Sequence, residues 1–281
     1  MTEQYLKSIK VGFIGGGNMA SAIGAGLIRK GVLKPDNVWV SGRTDRTHGF
    51  WRDLGVHPTL ENNEVVCNCD IVFLTVKPHM LDDALATVGR RADEKFESKL
   101  FVSVLAGVSL DVLYFKLLAI VTSPRIIRSM PNTPMMVGEG ITVYCGRNAK
   151  PNDLELVDRL FSYIGMSHKV PESLMNCIGG LSGCGPAFAY LVIEGLADGA
   201  VKMGVPRPMA TKFAAQVLVG AGKMVLETGQ HPGQLKDEVC SPGGTTINGI
   251  HVMEVGGVRG SMMNAVEAAV NKTNELTSRI K

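Results

Sequence analysis

The sequence predicts an α/β domain with a doubly wound, mostly parallel sheet, followed by an all-α domain. Short apolar runs rich in β-branched residues recur through the first half, and segments with helical spacing fill the gaps between them. After about residue 170 the strand signal ends. The runs cover residues 11–14, 38–40, 71–76, 101–105 and 141–144. They are continuously apolar, without in-out alternation, which is the pattern of a parallel sheet covered on both faces. Ile23, Leu27 and Ile28, and later Leu154, Val157, Leu160, Phe161 and Ile164, recur at the three- and four-residue spacing of a buried helix stripe.

In the second half, residues 188–203 and 209–227 have helical length, and Pro206 and Pro208 mark a break and a new helix start between them. In the last segment Met262, Val266, Ala269, Thr273, Leu276 and Ile280 alternate four and three apart, giving one narrow stripe. That spacing serves an intramolecular core or subunit packing. The long apolar helices and many small residues favour a homodimer formed through this domain. The boundary is expected near Pro171, with residues 1–170 forming the α/β domain and 171–281 the helical one.

Composition narrows the partner. The chain has 281 residues, 45% hydrophobic and 20% charged, with a formal net charge of +3. Acidic and basic residues are interspersed, so no concentrated field is offered to a nucleic-acid backbone or an anionic membrane, and a small-molecule substrate is expected. The N-terminal MTEQYLKSIK has neither the apolar run of a secretory signal nor the Arg-rich character of a transit peptide, so a cytoplasmic location is expected. The uncharged run 175–193 is long enough for a membrane span. Its four glycines, proline and asparagine make it read as buried helix and loop instead. Six cysteines at 67, 69, 145, 177, 184 and 240 form no CxxC pair and join no His cluster at zinc spacing; reduced, mostly buried thiols are expected, with no metal.

The strand at 11–14 runs into Gly15-Gly16-Gly17-Asn18-Met19-Ala20 and then into a helical pattern, which is G-x-G-x-x-A between a strand and a helix. Gly15 permits a tight turn, Gly17 lets a pyrophosphate approach the backbone, and Ala20 lets helix and strand pack closely. The free N–H groups of the helix start face the anion. This is the fingerprint expected of a dinucleotide-binding Rossmann domain; a glycine-rich turn without ligand is the alternative. An NAD site usually ends its second strand on a carboxylate; here Ser41-Gly42-Arg43-Thr44 follows. Two hydroxyls and a guanidinium suit a 2′-phosphate, so NADP is preferred, with NADH possible. A solvated charged loop is the alternative, since Asp45 and Arg46 come next. The strand at 71–76 ends in Lys77-Pro78-His79 and that at 101–105 in Ala106-Gly107; both tips are expected along the cofactor cleft. Lys77 reads as a positioning residue beside ribose and nicotinamide or as a catalytic acid, His79 as structural.

Two glycine-rich motifs interrupt the helical half: Leu181-Ser182-Gly183-Cys184-Gly185-Pro186 and Ser241-Pro242-Gly243-Gly244-Thr245-Thr246. Glycine costs about 1 kcal/mol in a helix interior, so each cluster implies close backbone approach or a ligand. Successive N–H groups at a helix start, with Thr hydroxyls beside them, suit a carboxylate; an ordinary N-cap is the alternative.

Taken together, the segment from Phe13 through Met19, the Val76 to His79 tip, Met130-Pro131-Asn132-Thr133-Pro134, Leu181 to Pro186, His231-Pro232-Gly233-Gln234-Leu235-Lys236-Asp237 and Ser241 to Thr246 resemble pyrroline-5-carboxylate reductase along essentially the whole chain. The resemblance implies NAD(P)H-dependent reduction of 1-pyrroline-5-carboxylate to L-proline, on a Rossmann domain followed by a helical dimerisation domain, in a ring of dimers. By position it implies Gly15, Gly17, Asn18 and Met19 at the pyrophosphate; Ser41, Arg43 and Thr44 at the adenosine end; and Asn62 at the adenine. Val76, Lys77, Pro78, Ala106, Gly107 and Asn132 fall at the nicotinamide side. It implies Glu172, Gly244, Thr245 and Thr246 at the substrate, with Ser182, Gly183, Cys184, Gly185 and Pro186 shaping the pocket. Three departures stand out: Cys184 replaces a usual serine, Glu238 stands where an asparagine is common, and the adenosine loop differs from several animal members.

The implied substrate is a cyclic imine bearing a carboxylate, whose C=N carbon accepts hydride from nicotinamide C4. Protonating the nitrogen makes that carbon a better acceptor, so the protein's main task is to hold the ring over the nicotinamide and exclude water. Amides around Gly244 to Thr246 would clamp the carboxylate, and Thr246 could assist proton delivery. Glu172 would favour the cationic imine, or is an exposed first-turn carboxylate. A β-hydroxyacid dehydrogenase and a non-catalytic NADPH-binding sensor are the alternatives.

Overall fold

The computed structural model describes residues 2–89 and 96–279, without the side chains of Asp45 and Arg46. Eight strands form one sheet: β1 (Val11–Ile14), β2 (Val38–Ser41), β3 (His57–Thr59), β4 (Ile71–Leu74), β5 (Leu100–Ser103), β6 (Arg125–Met130), β7 (Gly140–Arg147) and β8 (Gly165–Lys169). Their order is β3-β2-β1-β4-β5-β6-β7-β8, and every neighbour pair is parallel except β6 with β7. The chain reverses direction across the sheet at β1, between β2 and β4, the topological switch point at which open α/β sheets take their ligand.

The helices of this part are α1 (Glu3–Ser8), α2 (Asn18–Arg29), α3 (Asp45–Asp53), α4 (Asn62–Asn68), α5 (Leu81–Ala86), α6 (Leu110–Leu117) and α7 (Pro151–Ser162). Two cores lie on opposite sheet faces, as the period of two along each strand requires. Phe13 and Phe73 join Ile23, Trp51 and Phe161 on one side; Ile14 and Val72 join Val65, Leu81, Leu113 and Met175 on the other. The stacked Phe13 and Phe73 rings, 5.0 Å apart, bridge β1 and β4 under the switch point.

Three strands carry no apolar run. The edge strand β3 is three residues long and contains Pro58, and β8 at the other edge reads Gly-Met-Ser-His-Lys. β6 lies inside the sheet, but Arg125, Arg128 and Ser129 interrupt its apolar pattern.

Two compact units are present: one runs to Gly183 and takes up the chain again from Ala269, and the other is Cys184–Ala268. The first extends past Pro171 because the short helix α8 (Met175–Ile178) packs on the sheet, with Met175 fully buried in the second core. A five-residue π-turn, Gly179–Gly183, follows it. Next come α9 (Gly185–Lys202), α10 (Arg207–Thr228), α11 (Pro232–Val239), α12 (Thr245–Val255) and α13 (Val258–Arg279).

The second unit has a slight core of its own, Ala197, Ala210 and Ala214. Tyr190, Leu191, Phe213, Val217 and Met263 are all exposed. The expected burial of residues 175–193 holds for Met175, Gly179, Gly180 and Ser182 and is corrected over α9, which is apolar but uncovered in one chain. Among the described residues, one continuous helical run, Glu172–Lys202, is long and apolar enough to cross a membrane by length and composition. No described residue of α13 is buried, so Met262, Val266, Ala269, Thr273 and Leu276 form no intramolecular core; Ile280 lies outside the described residues.

The cysteines are free, but Cys69 and Cys145 alone are buried; Cys67 and Cys177 are exposed and Cys184 and Cys240 half-buried, so the expectation of mostly buried thiols is corrected. Burial pushes the Cys69 thiol up to about 12. Burial, with the Glu172 charge adding to it, pushes Cys145 up to about 11. Thiol reagents should label Cys67 in the native protein and reach Cys69 and Cys145 on unfolding. Both folded values lie above the ordinary 9.0, so the neutral thiols' contribution to stability is whole below that pH and is lost as pH rises through the folded values. Urea midpoints measured from pH 8 to pH 11 should fall; a flat profile contradicts this.

Candidate functional site

At the switch point a cleft of about 330 Å³ opens beside the β1–α2 loop. It is bordered by Gly15, Gly16 and Gly17, by Ser41, Gly42 and Arg43 after β2, by Asn62 and by Val76 after β4. Gly15 has φ +101°, which L side chains rarely adopt. Its N–H donates to the Ser41 carbonyl at 3.2 Å, and the Thr75 hydroxyl donates to the Gly15 carbonyl at 2.7 Å, so the loop is sewn to both neighbouring strands. Gly16 is needed for close approach: a Cβ there would lie 2.6 Å from Thr47 Cγ2. A Cβ on Gly17, the N-cap of α2, would meet nothing within 4 Å among the described residues beyond its chain neighbours. Asn18 is exposed, Met19 half-buried and Ala20 fully buried, as close helix-strand packing requires.

The adenosine-side residues separate by role. Arg43 is exposed and borders the cleft. Ser41 is buried and its hydroxyl lies 3.4 Å from the Phe13 carbonyl, so it braces the loop as well as bordering the cleft. Thr44 is the N-cap of α3, its Oγ1 accepting from Thr47 N–H and lying 2.8 Å from Thr47 Oγ1. Thr47, which the sequence reading missed, borders the cleft where Thr44 was expected. The hydroxyl spacing across the first turn of a helix was the available signal. Asn62 donates to the Ala84 carbonyl at 3.0 Å and Thr87 Oγ1 at 2.8 Å, joining α4 to α5 at the cleft; Thr87, Asp83 and Met80 were also missed.

On the nicotinamide side Val76 borders the cleft. Lys77 is exposed as the N-cap of the 3₁₀ turn Pro78–Met80, and His79 is exposed within it. Ala106 is exposed and Gly107 buried at the tip after β5. Asn132, expected at the nicotinamide, is buried and engaged at both ends of its amide. Its Oδ1 accepts from Ile141 N–H at 2.8 Å and its Nδ2 donates to the Ser182 carbonyl at 2.9 Å. It thereby satisfies a main-chain group at the start of β7 and one in the turn Gly179–Gly183.

Glu172 is not a free surface carboxylate: one of its oxygens is engaged within the protein. Its Oε1 accepts from Leu110 N–H at 2.8 Å, in the first turn of α6, and from Arg128 Nη1 at 2.9 Å. Arg128 is 3% exposed and donates through Nη2 to Asn176 Oδ1 at 2.8 Å. A buried guanidinium requires a carboxylate, and this one takes Glu172.

The glycine motifs each begin a helix. Ser182 Oγ donates to the Ile178 carbonyl at 2.9 Å within the π-turn that ends at Gly183. Cys184 is the N-cap of α9, with Gly185 and Pro186 in its first turn. In the second motif Gly244 is the N-cap of α12 and is held by its N–H to the Ser241 carbonyl at 3.0 Å. Thr245 and Thr246 open the helix, Thr245 exposed and Thr246 half-buried. The first amides of α12 lack intrahelical acceptors, as at every helix start, and suit an anion. Glu238, one of the departures, accepts from Gln234 on its own helix, α11, at 3.2 Å.

Residues 172–276 match the family model for pyrroline-5-carboxylate reductase dimerisation, and residues 10–107 that for NADP oxidoreductase, coenzyme F420-dependent. The chain is 44% identical over 273 residues to pyrroline-5-carboxylate reductase 2 of Rattus norvegicus, covering 96% of this chain and 84% of that one. It is 43% identical over 276 residues to pyrroline-5-carboxylate reductase of Methanosarcina acetivorans, covering 96% and 99%. The chain belongs to the pyrroline-5-carboxylate reductase family. Among solved structures, Plasmodium falciparum pyrroline carboxylate reductase with NADP bound matches with a TM-score of 0.83 at 32% identity, covering 97% of this chain and 99% of that one. Family membership makes the chain an NAD(P)-dependent oxidoreductase and agrees with the expected order of Rossmann part and helical part. The N-terminal match alone names a broader class; what distinguishes this family lies in residues 172–276.

Proposed function

We propose that the chain reduces 1-pyrroline-5-carboxylate to L-proline with NADPH, as a cytoplasmic homodimer that assembles further into a ring. One observation carries the reading: an open approach at Gly17 and an anion-suited helix start at Gly244 to Thr246 occur in one chain of this family. The nucleotide fits the residues present. Gly17 leaves room for a pyrophosphate against the start of α2, and Arg43, with the Thr47 hydroxyl nearby on the cleft wall, offers charge and donors for a 2′-phosphate.

NADPH, when bound, supplies the hydride that the C=N carbon accepts. The protein's own part is binding and orientation. Amides of Thr245 and Thr246 hold the substrate carboxylate, and the Thr246 hydroxyl hydrogen-bonds at the ring nitrogen, donating to the neutral imine and accepting from its protonated form, which is the better hydride acceptor. Fixing the ring in this way lowers the barrier by several kcal/mol, since two reactants become one unit. Lys77 is kept as a candidate beside the nicotinamide, on its position after β4. Glu172 acts at a distance, through Arg128 and α6.

Assembly follows from what one chain leaves uncovered. Exposed Tyr190, Leu191, Phe213 and Val217 on α9 and α10 suit a second copy better than lipid, because Glu194 and Asp198 fall within α9.

Initial rates with NADPH and NADH against the cyclic imine test the reaction. Wild type should oxidise NADPH only when the imine is present, and Thr246→Ala should raise the KM for the imine roughly three- to tenfold through loss of one hydrogen bond to a charged group. NADPH binding without turnover leaves the sensor reading; an unchanged KM removes Thr246 from the clamp. The mass in solution decides between dimer and ring.

A further inference from the structure

Beneath the phosphate loop lies an indole with no part in the steps above. Trp51, on α3, is fully buried, and its Nε1–H donates to the Gly16 carbonyl at 3.1 Å. Its ring stacks on Phe13 of β1, with centroids 6.0 Å apart. Two glycines leave the space it fills. A Cβ on Gly16 would lie 2.8 Å from Trp51 Nε1, and one on Gly24, further along α2, would lie 3.0 Å from Trp51 Cη2. The indole is therefore the floor on which the loop and the first half of α2 rest.

The direction of that hydrogen bond matters for the ligand side. In a trans peptide the C=O and N–H point to opposite sides, and the described residues contain no cis bond. With the Gly16 C=O drawn down onto the indole, the N–H of the same peptide unit, which belongs to Gly17, points the other way. Gly17 is exposed and borders the cleft. We infer that Trp51 is a positioning residue for the dinucleotide: its N–H fixes the Gly16–Gly17 peptide so that the Gly17 amide is already aimed at a pyrophosphate oxygen. The same helix carries Thr47, whose methyl packs where a Cβ of Gly16 or Gly42 would sit, so the element after Arg43 holds the loop at two points. A donor fixed before the ligand arrives costs little to use, which is where affinity is gained.

The inference rests on the nucleotide reading and is tested separately from it. Trp51→Phe keeps a ring against Phe13 and removes the donor. The NADPH Kd should rise about five- to tenfold, the scale of one hydrogen bond, while kcat at saturating NADPH stays within about twofold. Adenosine 2′-monophosphate has the 2′-phosphate but no pyrophosphate, and its affinity should not move. Because phenylalanine leaves a gap, a second variant carries benzothienylalanine at position 51, which has the indole's shape with sulfur in place of N–H; it should reproduce the rise. Equal weakening of both ligands, or wild-type affinity in the benzothienyl variant, overturns the positioning role. Wild type that binds no NADPH overturns the nucleotide reading, and this inference with it.

Discussion

Replacing Gly15 with alanine is expected to raise the KM for NADPH more than about a hundredfold, because the change acts on the protein and the ligand together. The backbone there sits at φ +101°, and a Cβ would lie 2.9 Å from both the main-chain nitrogen and Cγ1 of Val76 and 3.0 Å from the carbonyl carbon of Thr75. Two of these are main-chain atoms that cannot swing aside. Nor is the end of β4 free to shift, since Thr75 N–H donates to the Ile14 carbonyl at 2.9 Å and its hydroxyl reaches Gly15. The loop must lift instead, carrying the Gly17 amide from the place where a phosphate meets it, at a strain of about 1–3 kcal/mol. Gly17→Ala separates the two causes. Among the described residues nothing beyond its chain neighbours lies within 4 Å of that Cβ and φ is −79°, so Tm should hold while NADPH affinity falls, the new methyl standing in the ligand's space. Nucleotide titration and thermal melts of both variants check this. NADPH kinetics within about twofold of wild type in Gly15→Ala would place the phosphate elsewhere.

That pair of glycines also marks what was legible in the sequence. A positive φ and an open approach are demands of one residue on its own backbone, and glycine is the visible answer wherever a strand and a helix flank it. The five buried strand runs were legible for the same local reason. β6 was not, since Arg128 and Ser129 lie buried within it and are satisfied from afar: Arg128 by residues 44 and 48 positions on, and Ser129 by the Ser103 carbonyl. No window along the chain contains both partners. Thr44 and Thr47 show a finer limit, because both hydroxyls lie near the adenosine side and the turn of α3 decides which one caps the helix and which borders the cleft. The apolar length of α9 and α10 and the narrow stripe of α13 were legible. Their period tells which face is covered, but not whether the cover belongs to the same chain.

The second large effect is on stability. Arg128→Leu should cost about 3 kcal/mol, the low end for breaking a buried ion pair, because Glu172 keeps partial contact with water. The guanidinium is 3% exposed and the Glu172 side chain 35%. Removing the arginine strands the Glu172 carboxylate against one remaining donor, Leu110 N–H, and leaves Asn176 Oδ1 without its guanidinium. Asn176 in turn donates to Asn274 Oδ1 at 2.9 Å, so the loss loosens the end of α13 from α8 as well as the start of α6. Replacing both charges, as Arg128→Leu with Glu172→Leu, should recover most of the deficit, since the greater part of the cost of a broken buried pair is the unpaired partner that remains. Urea unfolding of the two single variants and the double variant measures the coupling. Additive losses would mean that the pair is not a unit. In that event the buried arginine must be held by Asn176 and packing, and its Nε, which has no hydrogen-bond partner among the described residues, becomes the first atom to examine for an internal water.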